Sequence, residues 1–331
     1  MSQPSKQPPA FQAQSRPGLW ARTPPAIFPA ILGAFGVGQG WRLAGQRLGA
    51  PEWIGEMLLG ALSLLFVFAA VAMLSKLARR PSVLLDDLKI LPGRAGMSAS
   101  TMTMMLFAVA LVPVAPGLAR AVLVLALIGH TIVALSVLRV LTTGPAVQRR
   151  VTPVWHLTFV GFIVAPLAAI PLGWVGLSQA IHAMTLPVAI LIWVISARQF
   201  VQDDVPPPLR PLLAIHLAPV ALFATVSGLL GYAVMGAVFA VLGLGLLALF
   251  LINGRWMTKA GFSALWGAFT FPKAAITNAV FVNAATLGHW SAVLAGVMLV
   301  AATLAVAAIL FKIMQLWAKG ALAVATNAAT A

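Results

Sequence analysis

Ten mainly apolar stretches, each about 20 residues or longer, follow one another along the chain: 26–46, 53–75, 96–115, 118–141, 153–173, 176–199, 209–230, 232–253, 263–287 and 291–317. A helix needs roughly 20 apolar residues to cross a hydrocarbon core about 30 Å thick, so each stretch has the length of one membrane crossing. The runs are continuous rather than alternating, which argues against a transmembrane barrel. They take up most of the 331 residues and leave little for a soluble domain. The expected fold is an all-α integral membrane protein. Its ten-helix domain spans 26–317, between a flexible cytoplasmic tail over 1–25 and a cytoplasmic C-terminal tail over 318–331. The N-terminal tail is rich in Pro, Gln and Ser with no apolar core before Ala26, unlike a signal peptide or an amphipathic presequence.

Charge orients the spans. The chain carries 21 Lys and Arg against six Asp and Glu. Seventeen of those 21 fall in the two tails, in connectors or at span ends on one side: Lys76 to Arg94, Arg139 to Arg150, Arg198 and Arg210, Arg255 and Lys259, and Lys312 towards the end of the last span, with the tails. Only Arg42, Arg47 and Arg120 fall on the other side, and Lys273 lies inside a span. Such a bias marks the cytoplasmic face, so both termini are expected there, in a cell (inner) membrane. The charge is therefore topological, and nucleic acid is not expected as a partner. Most Trp residues, such as Trp41, Trp53, Trp174 and Trp290, sit at span ends as interfacial anchors. Absence of cysteine excludes disulfides, thiolate metal sites and a Cys nucleophile.

Short connectors on the less charged side pair the spans into five antiparallel hairpins. Prolines favour the odd spans: Pro29, Pro166, Pro219 and Pro272, with Pro187 the clear interior case among the even ones. Each removes a backbone donor and is expected to kink its helix, which is tolerable where the helix is packed in protein or lines a wet cavity. Five kinked inner helices ringed by five straighter ones follow. In the first span Gly33, Gly36 and Gly40 form a stripe suited to close helix contact. The third span offers Ser98, Ser100, Thr101 and Thr103, whose hydroxyls either line a path or bond back to the helix.

Four segments, FPAILGAFGVGQGWR (28–42), TPVWHLTFVGFIVAPLAAIPLGW (152–174), PPLRPLLAIHLAPVALFATVSG (207–228) and FSALWGAFTFPKAAITNA (262–279), resemble the tellurite-resistance/dicarboxylate transporter family, which includes the plant slow-type anion channels. The resemblance implies a quasi-fivefold arrangement of the hairpins around a central pore, assembly as a homotrimer, passage of small anions, and a pore-plugging phenylalanine in the Thr-Phe-Pro segment, here Phe271. Independently, Phe271 directly precedes Pro272, and an apolar constriction of this kind gates by dewetting. Asn278 shares its helical face and offers a neutral amide to an anion. Lys273 is costly in a span and so marks a site by default. It faces an anion path, snorkels to the interface, or sits neutral against Thr270 or Thr277.

Every Asp and Glu lies in or beside a loop, Glu56 at the very start of the second span, which favours passive permeation of chloride, nitrate, malate-type carboxylates or tellurite over carboxylate-based coupling. The alternative is a proton-coupled C4-dicarboxylate symporter using His130, His156, His182 or His216, with His216 the first choice because it precedes Pro219. A bis-histidine haem protein, or a transferase holding Mg²⁺ on Asp86-Asp87 and Asp203-Asp204, is disfavoured because neither paired ligand geometry nor aspartate spacing is evident. No cofactor, metal or enzymatic activity is expected.

Overall fold

The computed structural model describes residues 18–331; residues 1–17 of the expected tail lie outside the described residues. In chain order the first helices are α1 (Phe28–Leu48), α2 (Glu52–Arg79), α3 (Val83–Leu88), α4 (Leu91–Leu111), α5 (Pro116–Thr143), α6 (Pro166–Ala169) and α7 (Val175–Gln202). They are followed by α8 (Leu217–Leu229), α9 (Ala233–Ile252), α10 (Gly254–Met257), α11 (Thr270–Val282), α12 (Ala284–Leu287), α13 (His289–Ala318) and α14 (Ala321–Ala325). Among the described residues, six helical stretches are long and apolar enough to cross a membrane: α2, α5, α7, α9, α13, and Pro207–Leu229, which ends in α8. Of the other four expected spans, α1 and α4 are unbroken helices of 21 residues, and two are divided into shorter pieces.

The prolines act differently from expectation. A 3₁₀ turn (Pro25–Ile27) precedes α1, a π segment (His156–Val160) and a 3₁₀ segment (Gly161–Val164) precede α6, and 3₁₀ segments Pro207–His216 and Ala264–Phe269 precede α8 and α11. Pro29, Pro166, Pro219 and Pro272 each stand in the first turn of the α-helix that follows. First-turn N–H groups have no intrahelical acceptor, so proline there forfeits no α-helical bond. The expected kinks are thus helix starts, marking a switch from 3₁₀ to α geometry. Pro187, by contrast, is inside α7, which stays helical through it.

Exposure separates two layers. Leu64, Leu135, Met184, Val234 and Leu304, one from each of α2, α5, α7, α9 and α13, are 61% to 76% exposed. Phe35, Ala99, Val164, Phe223 and Ile276, from the intervening elements, are fully buried. The buried elements contact one another in a closed cycle: α1 with α4, α4 with the π and 3₁₀ residues 156–164, these with α8, α8 with α11, and α11 with α1. Each long exposed helix leans on two neighbours of that cycle; α2 rests on α1 and α4, and α13 on α1 and α11.

At one end of α2 lies a buried ion pair. Lys76 Nζ is 2.6 Å from Asp87 Oδ2 with both side chains wholly buried, and it also donates to the Thr23 carbonyl at 3.0 Å. Asp87 Oδ1 accepts from the backbone N–H of Ala329, and Ala331 N–H donates to the Ala21 carbonyl. The pair therefore fastens the stretch before α1 and the segment after α14 to α2 and α3. Lys76 and Asp87, expected in a loop, are core residues. The neighbouring Asp86 pairs with Arg80 and Lys89 in solvent, and the Lys89 ammonium holds its carboxyl below the usual range.

Removing one member of a buried pair strands the other charge at a cost of about 3–5 kcal/mol, whereas replacing both is often near neutral. Asp87→Leu is expected to lower the thermal unfolding midpoint in detergent markedly. The double change Lys76→Met with Asp87→Leu should recover most of that loss.

Candidate functional site

Where the cycle of buried elements closes, a small, partly open cavity of about 30 Å³ lies between them. Every element contributes to its wall: Pro29 and Leu32 from α1, Ala95 and Ala99 from α4, Leu157 from the π segment, Ile215 and Ala218 around the start of α8, and Ala268, Phe271 and Pro272 around the start of α11. All of its lining residues are apolar. A space of this size has room for one or two waters, and its apolar walls offer them few hydrogen-bond partners. An ion arriving here would have to shed its hydration.

The position of Phe271 follows from the glycine stripe of α1. A methyl on Gly33 would fall on the Thr270 side chain and within 2.7 Å of the Phe271 backbone N, and one on Gly36 within 2.9 Å of Ala274 Cβ. Only glycine lets α11 come this close. The Thr270 hydroxyl then bonds toward the Pro29 and Gly267 carbonyls at 2.9 and 2.7 Å, pinning the junction between the 3₁₀ segment and α11. Phe271, the next residue, turns its ring over Gly36 and is 4% exposed. Two turns on, Asn278 Nδ2 donates to the Gly36 carbonyl at 2.9 Å, so half of its amide donor capacity is committed to α1. Its Oδ1 is buried without a partner, beside Gly40.

Lys273 does not line this cavity. It lies about 200° around an ideal helix from Phe271. Among the described residues no carboxylate pairs with it. The Thr277 hydroxyl donates to the Lys273 backbone carbonyl, and that of Thr270 is directed at α1 and Gly267, so neither donates to the amine.

Histidines and hydroxyls mostly join neighbouring elements. His130 Nδ1 is 2.7 Å from Thr101 Oγ1, and His182 Nε2 is 3.0 Å from Ser227 Oγ, each bond tying an exposed helix to a buried one. Ser98 bonds Thr158 at 2.8 Å, while Ser100 and Thr103 bond back to their own helix. His156 and His216 differ: His156 Nε2 lies 3.1 Å from His216 Nδ1, linking the π segment to the long 3₁₀ segment. Asp203 pairs with Arg150 at 2.8 Å.

These features gain a family context from the whole sequence. The signature of the SLAC1 family, described as voltage-dependent anion channel, matches residues 22–314. The chain belongs to this family. As a SLAC1-family protein it is a membrane anion channel or transporter. None of the curated proteins compared with it matches. The SLAC1 match runs through every wall of the central cavity, from Ala26 to Pro272.

Several wall residues escaped the sequence reading. Leu157, Leu212 and Ile215 are aliphatic residues with nothing to separate them from lipid-facing ones; the proximity of the proline-rich run 206–211 was the available signal. The partnership of His156 with His216 across 60 residues had none.

Gly33→Ala forces the start of α11 away from α1, and overpacking of this kind costs about 1–3 kcal/mol. A lowered unfolding midpoint together with altered flux is the expected result. Gly60→Ala on α2, whose methyl meets nothing within 4 Å, should leave both unchanged.

Proposed function

We propose that the chain is a channel-like anion pathway in which five inner elements, backed by five outer helices in a quasi-fivefold arrangement of ten crossings, surround a central pore closed by Phe271. The observation that carries this reading is the cavity whose wall draws on all five buried elements and includes the Phe271 ring. An apolar constriction blocks ions by dewetting, and rotation or removal of one aromatic ring widens it. Asn278, about 10 Å further along the same face, has one amide N–H beyond its bond to Gly36 and is the anion contact we assign. Chloride, nitrate and small carboxylates are the permeants suited to a path free of carboxylates; tellurite is a further candidate. The basic connectors favour cytoplasmic termini in an inner membrane. A homotrimer, each subunit with its own pore, rests on the family resemblance.

The second reading is proton-coupled carriage of C4-dicarboxylates through His156 and His216. Their mutual hydrogen bond supports it, because two imidazoles in contact can share and pass a proton.

Purified protein in chloride-loaded liposomes separates these readings. Phe271→Ala is expected to raise chloride efflux by about tenfold or more, equivalent to about 1.4 kcal/mol off the barrier. A fall in stability of about 3–5 kcal/mol without a gain in flux would mark the ring as packing alone. Flux that requires an imposed proton gradient and vanishes in His216→Gln would favour the symporter.

A further inference from the structure

Outside the central cavity, a crevice of about 1,100 Å³ opens between α7, α9 and the 3₁₀ segment 207–216. Small-molecule sites run roughly 300–1,000 Å³, so this space accepts a ligand of lipid size. Its body is apolar, with Trp193, Phe200, Leu246, Leu249 and Phe250 in the wall. Along α7 it extends from Trp193 to Asp203, ten residues or about 15 Å. That is half of a hydrocarbon core about 30 Å thick, the depth of one leaflet. Leu249 and Val201 are 53% and 87% exposed, so the crevice opens sideways to the hydrophobic surroundings of the outer helices.

Its charged groups, Arg150, Asp203 and Asp204, gather at the end where α7 stops. Arg150 pairs with Asp203 at 2.8 Å with both side chains more than half exposed, and Asp204 beside them has no ion-pair partner among the described residues. An exposed pair of this kind is weak and readily exchanged. One guanidinium and two carboxylates complement a head that carries both a phosphate and an ammonium. Their net negative charge disfavours a head with negative charge only.

We propose that this crevice binds one phospholipid of the phosphoethanolamine type, its phosphate on Arg150, its ammonium on Asp203 and Asp204, and its acyl chains in the slot between α7 and α9. The inference rests on the membrane reading above and is independent of the Phe271 gate. Leu212 lines both the crevice and the central cavity, so the bound chains press on the outer side of the wall around Phe271.

The test uses the full chain reconstituted with equal amounts of phosphatidylethanolamine and phosphatidylglycerol, re-extracted in mild detergent, washed, and assayed by mass spectrometry for retained lipid. Phosphatidylethanolamine is expected to stay with the protein while phosphatidylglycerol is stripped. Leu249→Trp, which fills the slot from an exposed position, should cut retention about tenfold. Asp204→Lys should move the preference toward phosphatidylglycerol. No retained phospholipid, or retained heads that mirror the mixture, overturns the proposal. Efficient disulfide formation between copies through Leu249→Cys, a unique thiol in a chain without cysteine, also overturns it, because a second subunit then fills the crevice. Lipid loss with an intact Phe271→Ala flux gain would sink this inference alone.

Discussion

Backbone amides and carbonyls have no water to bond in a hydrocarbon core, so irregular backbone survives there only when enclosed by protein. The architecture turns on that constraint. Residues 156–164, 207–216 and 264–269 leave α geometry for π or 3₁₀ turns; the first belongs to the buried cycle, and the other two lead into its members α8 and α11. The long, regular, apolar helices α2, α5, α7, α9 and α13 form the exposed layer around it. Runs of 3₁₀ helix beyond three or four residues are uncommon, and π turns recur at functional sites. The ten-residue run Pro207–His216 and the π turn at His156 meet through the His156–His216 bond beside the central cavity.

The outer layer was the most legible part of the chain. Its helices are long, nearly uniform in polarity and uninterrupted, apart from Pro187, which α7 absorbs. The odd-span prolines pointed to the inner layer for a partly mistaken reason: they were read as kinks and prove to be first-turn residues after 3₁₀ segments. Proline lacks an N–H in either case, so composition alone does not distinguish a break from a beginning. The glycine stripe was legible in full, because spacing alone puts Gly33, Gly36 and Gly40 on one face, and all three touch α11 or its neighbours.

Charge was harder to read. Counting Lys76 and Asp87 with the loops was reasonable, since α3 is a six-residue helix whose sequence gives no sign that one of two adjacent aspartates turns inward. Their burial becomes visible only when residues 23 and 329 arrive from the two ends of the chain. Lys273 drew attention as a charge within a span, yet helical geometry sets it away from the apolar cavity that Phe271 lines.

The central claim is that five separate elements share one path interrupted at Phe271. The most direct measurement places single cysteines at Leu32, Ala99, Leu157, Ile215 and Ala268 in a Phe271→Ala background and applies a negatively charged thiosulfonate to flux-active liposomes. The account predicts that modification at each of the five positions blocks anion flux, and that a cysteine at the lipid-facing Leu135 does not. Block confined to one or two elements, or flux indifferent to all five, would contradict it.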